Sequence, residues 1–96
     1  MVTRKLYKET QTLTPSGARL TLYYYLLKTV SEPESIYGIE VFSSQSTNPP
    51  DTHSEEVQQI SHSLTYVLSL LHACSSLYVT PTDLFSALDT LIDKLQ

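Results

Sequence analysis

Tryptophan is absent from the 96 residues, glycine occurs twice and cysteine once. Each scarcity removes a class of chemistry. With Gly17 and Gly38 as the only glycines, neither a phosphate-cradling Gly-x-x-x-x-Gly-Lys loop nor a Gly-x-Gly-x-x-Gly dinucleotide turn can be written. The lone Cys74 cannot close an intrachain disulfide and offers no Cys-x-x-Cys pair to zinc. The start Met1-Val2-Thr3-Arg4-Lys5 lacks the apolar stretch of a signal peptide. The longest nearly uncharged apolar run, Leu20 to Leu27, is far below the ~20 residues of a bilayer-spanning helix. A cytoplasmic chain with no membrane span is expected.

Charged residues are sparse too, at 17% against 41% hydrophobic, which fits a globular domain rather than a disordered polyelectrolyte. A single domain over residues 1–96 is expected, because the chain is too short for two cores. The net charge of -4 hides an asymmetry. Met1 to Val30 carries Arg4, Lys5, Lys8, Arg19 and Lys28 against Glu9, whereas from Ser31 onward Lys94 stands alone among the other acids. Such a split marks an anion-binding half, or lets one half dock against the other.

Two segments rich in Thr, Tyr, Leu and Lys, at about 3–13 and 18–29, flank Thr14-Pro15-Ser16-Gly17. Pro15 presets a type I turn and Gly17 supplies the left-handed residue after it, so a hairpin with a three-residue loop is predicted. That loop sets Thr12 opposite Leu20 and Lys8 opposite Tyr24. The core face then holds Leu6, Thr10 and Thr12 with Leu20, Leu22, Tyr24 and Leu26, and the outer face holds Lys5, Tyr7, Glu9 and Gln11 with Arg19, Thr21, Tyr23 and Tyr25. A third strand is predicted over about 36–43, with Tyr37, Ile39 and Val41 on one side. Residues 43–53 contain no apolar side chain and include Asn48-Pro49-Pro50, which predicts an exposed loop.

From there the period changes. Val57, Ile60, Leu64, Val67, Leu71 and Cys74 recur at helical spacing, with Leu64 in the middle of the stripe, and Thr52 with Glu55 resembles a capping box. A helix over about 53–76 is predicted. Thr80-Pro81-Thr82-Asp83 starts a second over about 81–95, with Leu84, Leu88, Leu91, Ile92 and Leu95 on its apolar side. The expected fold is α+β, a three-stranded antiparallel meander packed on two C-terminal antiparallel helices, in the order β-β-β-α-α.

Catalytic chemistry finds no footing. His53, His62 and His72 have no partner at the i, i+4 spacing that binds a metal, no serine sits in a Gly-x-Ser-x-Gly elbow, and Cys74 lies on the apolar stripe. No enzyme, no cofactor and no metal are expected. Two surfaces are left over. On the first helix, Tyr66, Leu70, Ala73 and Leu77 fall off the stripe, Tyr66 by about 160° and Leu70 by about 120° from an axis through Leu64. They form a candidate surface for a protein partner or a second copy of the chain, a homodimer. On the hairpin, Lys5, Tyr7, Arg19, Tyr23 and Tyr25 interleave rings with cations, as single-stranded nucleic acid binding requires, although Glu9 and the net charge oppose it.

Tyr37-Gly38-Ile39-Glu40-Val41 on the third strand and Tyr78-Val79-Thr80-Pro81-Thr82-Asp83-Leu84 at the last helix resemble a family of small proteins from Clostridia-like Firmicutes, catalogued as a domain of unknown function. The resemblance runs from about Leu20 to Leu95. It implies a bacterial cytoplasmic setting and an accessory role, and it brings no catalytic residue or cofactor. The expected function is a small non-enzymatic interaction or regulatory module, with a nucleic-acid-binding accessory protein as the alternative.

Overall fold

A computed structural model describes residues 1–95, in the order β1 (Val2–Leu13), β2 (Arg19–Thr29), β3 (Ile36–Gln45), β4 (Asp51–Ser61), α1 (Leu64–Ser76) and α2 (Leu84–Leu95). Among the described residues the sheet has four antiparallel strands, in the order β1-β2-β3-β4, so the expected three-stranded meander is overturned. The fourth strand occupies the end of the expected loop 43–53 and the start of the expected helix 53–76. Val57 and Ile60 are half-buried strand residues, and their spacing of three continues into α1 only by coincidence. The Thr52–Glu55 capping box does not form. Ser63 caps α1 instead, its hydroxyl accepting from the Tyr66 amide at 3.2 Å.

The first turn forms as its residues require. Gly17 takes a φ of 87° and its amide donates to the Thr14 carbonyl at 2.9 Å. The expected pairing holds from Leu13 opposite Arg19 back to Lys8 opposite Tyr24, and then a β-bulge at Tyr7 shifts it by one residue. Because side chains alternate, that shift exchanges the faces of everything before it. Leu6 leaves the expected core face to stand opposite Tyr25, 48% exposed, and Lys5 crosses to the helix side opposite Leu26.

On the helix side the core joins Leu22, Tyr24, Ile39 and Val41 of the two central strands to Val67, Leu70, Leu71 and Cys74 of α1 and Leu84 and Leu88 of α2. The face of α1 is set by Val67, Leu70, Leu71, Cys74 and Ser75. Leu64 is 39% exposed at the helix's first position, so the axis drawn through it is displaced. α1 packs against all four strands, whereas α2 packs against α1 and β4. After α1 the chain reverses in a Schellman motif, with Tyr78 left-handed at φ 54° and the Val79 amide donating to the Cys74 carbonyl at 3.0 Å. Pro81–Asp83 form a single 3-10 turn before α2. Of the expected apolar side of α2, the side chain of Leu95 lies outside the described residues.

Gly38 answers to space. A Cβ there would collide with the carbonyl oxygens of Val57 and Gln58, where β4 bulges over the sheet. That close approach encloses Leu27, which is 2% exposed although it faces away from the helices.

Candidate interaction surface

The four residues expected to form a surface on α1 part company. Leu70 is fully buried in the core. It lies about 60° round the helix from Val67, inside the apolar arc, once that arc is measured from residues that touch the sheet. Tyr66 is half-buried and packs against the core, its hydroxyl enclosed with no hydrogen-bond partner among the described residues. Leu77 is 65% exposed at the C-cap. Ala73 lines a groove of about 580 Å³ between the helices, together with Leu68, Leu91, His72 and Lys94. They do not make one patch.

The hairpin residues separate as well, at the Tyr7 bulge. Lys5 points to the helix side, Tyr7 occupies the bulge, and Arg19 sits at the end of β2 next to the turn. Tyr23 and Tyr25 remain together on the sheet face that no helix covers. The strand register gives that face its rows. Leu6, Tyr25, Glu40 and Glu56 stand side by side across the four strands, and Glu9, Tyr23, Phe42 and Ser54 form the next row.

Phe42, Arg4 and Leu6 are members of this face that the sequence reading missed. The Tyr23 and Phe42 rings lie 5.8 Å apart, tilted by 52°. Arg4 reaches over Tyr25 with its guanidinium 4.0 Å from the ring centroid and pairs with Glu40 at 3.5 Å. Strand alternation carried a signal for Phe42, which shares parity with Gly38 and Glu40. For Arg4 there was none, because its face depends on the bulge.

The other titratable candidates sit apart from this face. The Cys74 thiol is buried, and desolvation pushes it up to about 11. His62 bonds through Nδ1 to the Ser35 carbonyl at 2.9 Å, and His53 lies 3.3 Å from Asp51 on the exposed start of β4. No group of three or more potential metal ligands occurs among the described residues, and no described helix is long and apolar enough to cross a membrane.

No curated protein and no solved structure matches the chain. A family model does, and it spans hairpin, sheet and helices alike, including the N-terminal strand that the sequence resemblance left out. With residues 3–94 matched, the chain belongs to the family of unknown function (DUF6514).

Proposed function

We propose that the chain is a small non-enzymatic protein-interaction module that presents the open face of its sheet to a partner. One observation carries this reading. The helices cover a single face of the sheet, and the other holds Tyr23, Tyr25 and Phe42 together, with Arg4 over Tyr25 and Leu6 at their margin. Tyr and Arg are enriched at interface centres, since a ring buries much area at little entropic cost and a planar guanidinium stacks on rings and forks its hydrogen bonds. Cys74 offers no nucleophile, for its thiol is buried and desolvation raises it further from the thiolate form.

Nucleic acid fits this face less well. Glu9, Glu40 and Glu56 stand among the rings, where they repel phosphate, and Glu40 already engages Arg4. Lys5, one of the cations such a reading needs, faces the helix side. A cytoplasmic setting is supported by the single unpaired cysteine, and an origin in Clostridia-like Firmicutes by the motif resemblance alone.

Photo-crosslinking in the producing cell tests the reading. A crosslinker at Tyr23 or Phe42 should yield a discrete protein adduct, and one at the exposed Thr90 of α2 should not. Adducts that contain nucleic acid, or none at either face position, would refute it.

A further inference from the structure

The charge asymmetry of the sequence becomes a polarity of the molecule. β1 forms one edge of the sheet and β4 the other. Every residue of β1 from Val2 to Glu9 is exposed, with Arg4, Lys5 and Lys8 against Glu9. The opposite edge carries Asp51, Glu55 and Glu56, all exposed. α2 adds to it. Leu91 and Lys94 point toward α1, where they line the inter-helix groove. At about 100° per residue, Phe85, Asp89 and Asp93 therefore lie on the side away from α1, above the β4 edge. Phe85 is 53% exposed, and both aspartates are exposed. The two halves scarcely neutralise each other within the chain: among the described residues a single ion pair, Arg4 with Glu40, joins them.

We propose that the protein assembles head to tail, the β1 edge of one copy pairing as a strand with the β4 edge of the next. This uses the edges, and so goes beyond the open-face reading without depending on it. Three features of the fold converge on it. First, four strands in a meander leave β1 and β4 antiparallel. A copy displaced sideways without turning over therefore brings its β4 antiparallel to β1 and keeps its helices on the same side. Second, the register that sets Arg4 opposite Glu56 also sets Lys5 opposite Glu55 and Leu6 opposite Ser54. The faces agree in every pair: Arg4, Leu6, Ser54 and Glu56 lie on the open face, Lys5 and Glu55 on the helix side. Third, the charges exclude the alternatives. Two β1 edges set cation against cation and two β4 edges acid against acid, so the lysines that guard β1 from its own kind favour the acidic edge. The bulges at Tyr7 and at Gln58–Ile60 confine the ladder to short straight stretches on either side of them. Because the contact is heterologous, it repeats into a chain or ring and does not stop at a dimer.

Sedimentation velocity of the unmodified protein tests this directly. At about 0.02 M salt the mean mass should rise with concentration beyond that of two chains. At about 0.5 M it should fall back toward one, since the screening length shrinks from about 20 Å to about 4 Å. Lys5→Glu with Lys8→Glu, or Asp51→Lys with Glu55→Lys, should each raise the dissociation constant at least about tenfold, with circular dichroism unchanged. An equal mixture of the two double variants should associate again. A single-chain mass at every concentration in low salt, a mass that saturates at two chains whatever the salt, or a mixture that stays monomeric would overturn the proposal. The first two outcomes need no variant, so misfolding of a substituted chain cannot shield it.

Discussion

Tyr24 ties the sheet to the segment that follows α1. Its ring is fully buried and its hydroxyl donates to the Val79 carbonyl at 2.9 Å, which satisfies a backbone acceptor where the chain leaves the Schellman turn. Cys74 lies in the same core cluster, on the last full turn of α1. Burial raises both acids, Cys74 from an ordinary 9.0 to about 11 and Tyr24 further above its ordinary 10.0. Between pH 9 and about 11 the folded state keeps the thiol proton that the unfolded chain has released. The unfolded state then binds fewer protons, and stability falls as pH rises. The fall is at most ~1.4 kcal/mol per pH unit for each group, beginning near pH 9 with Cys74 and joined by Tyr24 above pH 10. Urea unfolding followed from pH 7 to 11 should show this onset, and Cys74→Val should delay it to about pH 10. An unchanged onset in the variant would remove Cys74 from the account.

At the scale of elements, legibility follows burial. β2 and β3 are the central strands, and their alternation was readable because Leu22, Tyr24, Ile39 and Val41 meet the helices while Tyr23, Tyr25 and Glu40 do not. The first turn was readable because Pro15 and Gly17 carry local backbone preferences that no tertiary contact overrides. β4 was not. It is an edge strand whose first six residues are exposed on both faces, so no hydrophobic alternation marks it, and its register breaks at a bulge. The Tyr7 bulge left no sequence mark either, and it took Lys5 and Tyr7 out of the expected hairpin surface. The α1 patch failed for a related reason, since an axis through Leu64 lies about 50° from the centre of the buried arc, near Val67, and an arc drawn round it excludes Leu70. Two substitutions separate the axes. Leu70→Asp places an unpaired charge in the core and should cost more than about 4 kcal/mol, enough to unfold the chain. Leu64→Asp puts a carboxylate at the exposed first position of α1, where the helix dipole favours it, and should change stability by less than about 1 kcal/mol. Thermal unfolding of both variants checks the pair, and equal destabilisation would restore the axis through Leu64.

At the scale of the whole molecule, sheet and helices differ in length. β1, with 12 residues, extends about 40 Å, while the 13 residues of α1 rise about 20 Å. The molecule is correspondingly elongated, 47 × 30 × 17 Å. Helix cover reaches the row of Leu22 and Ser43, the latter 4% exposed, and fades beyond Leu20 and Gln45. Past that line both hairpins, Gln11–Thr21 and Ser44–Thr52, run on with little helix cover; the first keeps Leu13 exposed, and the second is polar on both faces, which explains why residues 43–53 carry no apolar residue although 43–45 and 51–53 are strand. Ladder hydrogen bonds hold these ends without a core beneath them, and such segments open without global unfolding. Stability should therefore be graded along the strands. Native-state hydrogen exchange should find the amides of Leu22–Leu27 and Ile39–Val41 opening only with global unfolding. Those of Thr12, Thr21 and Ser44 should exchange at least about tenfold faster, a gap of about 1.4 kcal/mol. Uniform protection from the helix-covered end to the turns would mean that something other than α1 and α2 braces the free ends of the sheet.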